Sequence, residues 1–187
     1  MKRFNLVTEA DARVLEYGST IVLAPGGHVT PLAQDTLKAR RVAVVADAPD
    51  VDLAALVQYL RGRGLAAHDL GTGTTDAVDY PDTAAAVAVQ VARGEADAGI
   101  VIDGAGLGSC IAANKIAGVR AAMCTNETLA RYARQHNGAN VLSLGSTLVS
   151  VAEAVAIADV FLDTPMREAR YIRRLAKIRA LEARGRA

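Results

Sequence analysis

The sequence contains no tryptophan and few other aromatic residues, with two phenylalanines and five tyrosines among 187 residues. Proteins that bind single-stranded nucleic acids rely on aromatic side chains for base stacking and on basic side chains for the phosphate backbone. Here 21 Lys and Arg nearly balance 20 Asp and Glu, which leaves a net charge of +1. Nucleic acids and membrane surfaces are therefore disfavoured as partners.

Cysteine is also scarce, and no hydrophobic run is long. Cys110 and Cys124 lack the spacing of metal ligands, so we expect no disulfide framework, no metal and no other cofactor. No apolar segment approaches the roughly 20 residues that span a membrane, and the first residues lack the layout of a signal peptide. These absences predict a soluble cytoplasmic protein with a single sizeable core.

Short apolar runs alternate with longer stretches of helical spacing from residue 41 onward. This alternation predicts an α/β fold, a Rossmann-like doubly wound parallel sheet of about five strands with helices on both faces. We expect an N-terminal extension over residues 1–40, a main domain over 41–187 and a long exposed C-terminal helix. The predicted strands lie at 42–45, 98–102, 119–123 and 140–143, and the predicted helices at about 50–63, 82–94, 126–136, 148–161 and 165–185.

A glycine-rich loop follows the second of these strands. Asp103 ends the apolar run, three glycines follow at alternate positions (Gly104, Gly106 and Gly108), and a helix then begins. Glycines let the backbone approach a ligand closely, and their N–H groups can converge on negative charge beside a helix start. The third glycine comes one residue too early for a dinucleotide fingerprint, so the loop predicts a site for a developing anion.

The sequence around this loop resembles the ribose-5-phosphate isomerase B family, which includes the galactose-6-phosphate isomerase subunits. The resemblance covers about residues 41–178 and is carried by the strings at 79–82, 94–97, 111–115, 118–122, 134–137, 139–142 and 170–178. It implies an aldose–ketose isomerase that acts on a sugar phosphate of the ribose 5-phosphate type through an enediolate. It also implies a homodimer or tetramer with shared active sites.

The resemblance assigns catalytic roles within the loop and beyond it. Asp103 stands where the family commonly has a cysteine base, and His136 matches the family's ring-opening histidine. The anion hole would be formed by backbone amides of Gly104, Ala105, Gly106, Leu107 and Gly108. An alternative for Asp103 is that its carboxylate caps the following backbone amides. Cys110 is displaced from the base position, and we expect it to pack as a small side chain.

Substrate-binding residues are implied on both subunits. Asp47 and Tyr80 match family residues that contact the sugar. Asn137, Arg170 and Arg174 match residues that reach the neighbouring subunit's site, the two arginines gripping phosphate. Charge-assisted bonds of this kind are the strong phosphate contacts.

Besides Asp103, four positions depart from the family pattern. Ala48 and Tyr171 replace histidines, Ala105 replaces a threonine that assists ring opening, and Thr147 replaces an arginine. These losses favour a second hypothesis, in which the chain is a non-catalytic or re-specialised member that binds a sugar-like ligand or organises partners.

The first 40 residues lie outside this resemblance. They are similar to the leader of corrinoid adenosyltransferases and other enzymes from bacterial-microcompartment operons, which implies possible microcompartment partners. We expect helix starts at Thr8 and at Thr30-Pro31, a strand over 20–24 and a turn over 25–27. The alternative is a packing extension that covers a sheet edge.

Overall fold

The structure is a computed structural model that describes residues 2–46, 53–71 and 78–185. Strands and helices alternate along the chain in the order β1, α1, β2, α2, β3, α3, α4, β4, α5, β5, α6, β6, α7, α8. The strands are β1 Lys2–Val7, β2 Thr20–Val29, β3 Ala43–Ala46, β4 Gly99–Asp103, β5 Ala121–Met123 and β6 Val141–Gly145. The helices are α1 Glu9–Val14, α2 Pro31–Ala39, α3 Leu53–Gly62, α4 Tyr80–Ala92, α5 Leu107–Ala113, α6 Glu127–Asn137, α7 Val151–Asp163 and α8 Ala169–Arg184.

The predicted α/β fold with parallel strands is confirmed. The described strands form two three-stranded parallel sheets, in the orders β1-β2-β3 and β4-β6-β5. In the second sheet, Leu142 and Leu144 pack with α3, α6 and α7, whereas Val101 and Val141 pack with α4 and α5. Helices therefore cover both faces of this sheet, and all five residues of its central strand β6 are buried.

The N-terminal segment is joined to the main domain through backbone pairing. β2 pairs with β3 from Thr20 opposite Ala43 to Leu23 opposite Ala46, so the sheet crosses the predicted boundary at residue 40. Buried side chains of β1, α1, β2 and α2 form one apolar cluster that also contains Val42. The segment thus covers the edge of β3, as the packing alternative expects.

Both predicted helix starts in this segment are confirmed. Thr8 and Asp11 form a reciprocal capping box at α1, and the Thr30 hydroxyl accepts from the amide of Ala33 ahead of Pro31. The predicted turn at 25–27 is wrong, because β2 continues to Val29. The ladder passes from Phe4 opposite Leu23 to Leu6 opposite His28, so the Pro-Gly-Gly stretch is absorbed as extra residues within the strand.

The two edges of the second sheet set the geometry of the site. Asp103 pairs with Gly145 at the carboxyl edge, and Gly99 pairs with Val141 at the amino edge. α6 ends at the amino edge, where Gly138 takes a left-handed φ of 57° and caps the helix. The five-residue strand β4 separates the two edges by about 13 Å.

Candidate active site

The glycine loop lies at the carboxyl edge, pressed against the loop that follows β6. A Cβ atom on Gly106 would lie 2.8 Å from the backbone nitrogen of Gly145, and Gly106 has a φ of 74°. A Cβ on Gly145 would lie 2.8 Å from the carbonyl of Ala105. The two loops therefore touch backbone to backbone, which only glycine permits at these positions.

Hydrogen bonds fasten the two loops together. The amide of Ser146 donates to the carbonyl of Asp103 over 2.8 Å, and the Thr147 hydroxyl donates to the carbonyl of Gly104 over 2.7 Å. The buried Ser143 hydroxyl donates to the carbonyl of Gly106 over 2.6 Å. Thr147, which replaces an expected arginine, thus holds the loop in place. Ser143 is not among the residues predicted from the sequence, although a polar side chain within an otherwise apolar strand is a signal for such a contact.

The carboxylate of Asp103 is held by backbone amides of its own loop. One oxygen accepts from the amide of Gly106 and the other from the amide of Ser109, the latter over 2.9 Å. The capping alternative is therefore present in the structure. Each carboxylate oxygen still has one free lone pair, so the carboxylate can take up a proton or accept a hydrogen bond from a hydroxyl group.

The backbone amides of the predicted anion hole do not all point the same way. The amide of Gly106 points to Asp103. Leu107 and Gly108 are the first two residues of α5, so their amides have no carbonyl partner within the helix. The side chain of Leu107 is exposed beside them. The amides of Leu107 and Gly108 can therefore donate to a bound anion.

Tyr80, the first residue of α4, lies over the loop. A Cβ on Gly108 would lie 2.7 Å from the Cε2 and Cζ atoms of the Tyr80 ring. The third glycine therefore makes room for the aromatic ring, while about half of Tyr80 stays exposed. The structure thus brings Tyr80 to the loop that follows Asp103, and the contact of either side chain with a sugar remains a prediction. Asp47 and Ala48 lie outside the described residues.

His136 lies in the last turn of α6, between two tyrosine rings. Its ring centroid is 4.5 Å from that of Tyr132, with planes 16° apart, and 4.4 Å from that of Tyr171. Tyr132 belongs to the same helix and Tyr171 to α8. The side-chain amide of Asn137 donates to the carbonyl of Tyr132 over 3.0 Å, so Asn137 closes the end of the helix. The expectation that Asn137 contacts substrate remains a prediction.

Arg170 and Arg174 both contact the ring of Tyr171. Their guanidinium carbons lie 4.6 and 5.7 Å from the centre of its ring. Arg170 also donates to the Tyr171 hydroxyl over 2.8 Å. Both arginines are exposed, so an anion can reach them from solvent.

The predicted site residues therefore form two groups in one chain. The loop half comprises Asp103, residues 104–108 and Tyr80, at the carboxyl edge of the second sheet. The arginine half comprises His136, Asn137, Arg170 and Arg174, with the two tyrosines that contact His136, at the amino edge. A single chain does not bring these halves together.

The two cysteines behave as packed thiols. Burial raises the pKa of the Cys110 thiol, which is half-buried in α5. Burial raises the pKa of the Cys124 thiol further, to about 11. Because a nucleophilic cysteine needs a lowered pKa, neither thiol suits that role.

Residues 2–46, 53–71 and 78–185 contain no cluster of three or more His, Cys, Asp or Glu side chains suited to a metal ion. None of the helices in these ranges is long and apolar enough to cross a membrane.

Comparison with known proteins identifies sugar-phosphate isomerases as relatives. A family model described as ribose/galactose isomerase matches residues 42–178. The chain is 43% identical to ribose-5-phosphate isomerase B of Escherichia coli over 129 residues, which cover 69% of this chain and 87% of that protein.

Solved structures give the same result. Ribose-5-phosphate isomerase B of Clostridium thermocellum superposes with a TM-score of 0.68 at 42% identity, covering 72% of this chain and 94% of that one. The Mycoplasma genitalium ribose-5-phosphate isomerase B, solved with bound ribulose 5-phosphate, superposes with a TM-score of 0.59 at 35% identity. It covers 88% of this chain and 96% of its own.

Proposed function

The chain belongs to the ribose/galactose isomerase family and is a sugar-phosphate isomerase by class, and we propose that it interconverts ribose 5-phosphate and ribulose 5-phosphate. The observation that carries the proposal is the glycine loop at the end of β4. It holds a carboxylate beside first-turn amides that have no helical partner. An enediolate forms when a base removes a proton next to a carbonyl whose oxygen is stabilised by fixed donors.

Asp103 is the base in this proposal. The amides of Gly106 and Ser109 fix the orientation of its carboxylate. The carboxylate moves a proton between the two adjacent substrate carbons, through its remaining acceptor position. The amides of Leu107 and Gly108 donate to the enediolate oxygen, and Tyr80 packs beside the sugar. Asp47 contacts sugar hydroxyls in this proposal.

The arginine half of a second copy completes the site. Arg170 and Arg174 bind the substrate phosphate, His136 assists ring opening, and Asn137 contacts the same substrate. The separation of the two halves by the length of β4 supports this arrangement. So does an exposed apolar pair beside the loop, since Leu107 is 58% and Ile111 61% accessible. Such a pair on one turn of α5 suits burial against another subunit.

The alternative function is a non-catalytic or re-specialised sugar-binding member. One support is that two backbone amides already donate to the Asp103 carboxylate. The other is Thr147, which stands where the family has a phosphate-binding arginine and whose hydroxyl donates to the carbonyl of Gly104. Association with a bacterial microcompartment through residues 1–40 belongs to this proposal. The exposed side chains Val14, Tyr17 and Leu32 offer apolar contacts for such a partner.

The test follows interconversion of ribose 5-phosphate and ribulose 5-phosphate by the purified chain, with deuterium uptake from solvent at C2. We expect turnover by the native chain and a loss of at least about a hundredfold in Asp103→Asn. Asp103→Cys, which places the family's usual base at this position, is the matched control and should retain part of the activity.

Two results would reject parts of the proposal. Activity that survives Asp103→Asn removes Asp103 as the base. A native chain that is inactive, and is not stabilised against heat by pentose or hexose phosphates, supports the non-catalytic alternative.

A further inference from the structure

Tyr171 contacts His136, Arg170 and Arg174 together, and no other aromatic ring among the described residues does so. It is 8% exposed, although it lies on an otherwise exposed helix. Its ring meets His136, and both guanidinium groups lie within 6 Å of its centre. Its hydroxyl accepts a hydrogen bond from Arg170. No hydrogen bond or ion pair links His136 to the two arginines in the described part of the chain.

The packing of α8 on α6 fixes this ring. A Cβ on Gly138 would lie 3.0 Å from Leu175, so the glycine that ends α6 lets α8 approach closely. Leu175 is one turn along α8 from Tyr171, on the same helix face. By contrast, Tyr132, the other ring on His136, is 48% exposed and shares the helix of His136. Tyr171 is therefore the partner that fixes His136 relative to another element.

In residues 2–46, 53–71 and 78–185, neither Arg170 nor Arg174 forms an ion pair with a carboxylate. Two guanidinium groups held against one ring repel each other unless an anion lies between them. The ring offsets part of that repulsion through its negatively polarised face. This arrangement keeps both arginines available for an anion.

We propose that Tyr171 is a positioning residue, which locks His136 and the phosphate-binding pair Arg170 and Arg174 into one rigid unit. This inference rests on the proposed function of the arginine half. It assigns a new role to the position at which the family has a histidine. A tyrosine supplies both a ring for His136 and a neutral hydroxyl acceptor for Arg170.

Two substitutions separate these contributions. Tyr171→Phe removes the hydroxyl and keeps the ring, so we expect KM for the sugar phosphate to rise about three- to tenfold with kcat nearly unchanged. Tyr171→Leu removes the ring as well, so kcat should fall about tenfold or more because His136 loses its position. Tyr17→Leu is the matched control, since Tyr17 is exposed on the N-terminal segment far from both halves along the chain.

A spectroscopic measurement tests the inference independently of turnover. Tyrosine rings packed this close to His136 shift the resonances of its ring protons in the NMR spectrum of the full-length protein. We expect that shift to persist in Tyr171→Phe and to diminish in Tyr171→Leu. Titration with inorganic phosphate should move the His136 signals in the native chain and require higher phosphate concentrations in both variants.

The outcomes keep the two proposals apart. If the native chain is inactive but the NMR pattern holds, the isomerase proposal fails and the positioning role stands. If the chain is active and both Tyr171 variants match Tyr17→Leu in KM, kcat and His136 shifts, the positioning role is wrong. Equal effects of Phe and Leu at position 171 would also overturn it, because the ring would then contribute nothing.

Discussion

The backbone of Gly106 approaches that of Gly145 so closely that a Cβ on Gly106 would lie 2.8 Å from the Gly145 nitrogen. This contact joins the loop after β4 to the loop after β6, which are neighbouring strands at the carboxyl edge. The candidate base Asp103 and the first-turn amides of α5 are held by this junction. The site is therefore built on contact between two backbones.

Substitution of the loop glycines should separate folding from binding. Gly106→Ala places a side chain at a φ of 74° against backbone atoms that cannot move, and should cost at least about 2 kcal/mol of unfolding free energy. Gly108→Ala meets only the far end of the Tyr80 ring, which can rotate away. It should cost less than about 1 kcal/mol and mainly raise KM. Urea unfolding and steady-state kinetics measure the two effects, and equal destabilisation by both substitutions would contradict this account.

Ser143 and Thr147 allow a matched comparison of two loop contacts. Both hydroxyls donate to loop carbonyls, but Ser143 is fully buried and the Thr147 contact is exposed. Ser143→Ala leaves the Gly106 carbonyl without its side-chain donor in a dry site, and should lower stability by about 1–3 kcal/mol. Thr147→Ala should cost less than about 1 kcal/mol because water replaces the hydroxyl. A larger loss for Thr147→Ala would show that the loop is fastened elsewhere.

Removal of residues 1–38 should destabilise the rest of the chain. The deletion takes away β2, the partner of β3, and uncovers Val42 from the apolar cluster of the N-terminal segment. An unpaired strand edge invites association, so we expect a lower melting temperature and aggregation on gel filtration. Leu32→Ala, at an exposed position in the same segment, should leave both properties unchanged. A monodisperse truncated protein with the native melting temperature would make the segment a detachable leader.

More of the loop half than of the arginine half could be predicted from the sequence. The glycine loop could be predicted from local sequence. A carboxylate and alternate glycines after a buried strand indicate a tight loop that leads into a helix. The partners of Asp103 were foreseen only as an alternative, since the amides that reach a short side chain depend on where α5 begins. The ring contact between Tyr171 and His136 depends on how α8 crosses α6, across 35 residues of chain, and no periodicity encodes it. The strand through Pro25 and Gly27 was missed because local turn chemistry predicted a reversal where pairing with β1 prevails.

Thiol labelling should report the burial of the two cysteines. The pKa of Cys124 is raised to about 11, so at pH 8 its thiol stays protonated and should react far more slowly than in the unfolded chain. The native state holds this proton more tightly than the unfolded state. Ionisation of Cys124 therefore leaves the free energy of unfolding unchanged below pH 9. It lowers that free energy as the pH rises from 9 towards 11. Labelling with a chromogenic disulfide should be slower at Cys124 than at Cys110, and the reverse order would contradict the burial assignments.

Complementation between two defective variants tests the shared isomerase site most directly. Asp103→Asn damages the loop half and His136→Asn damages the arginine half, so each variant alone should be inactive. In a mixed dimer, one site carries both defects and the other carries neither. Random assortment makes half of the dimers mixed, so the co-expressed variants should recover about a quarter of the native rate of ribose 5-phosphate isomerisation. No recovery, in a sample whose mixed dimers are verified by native mass spectrometry, would contradict a site built from two copies.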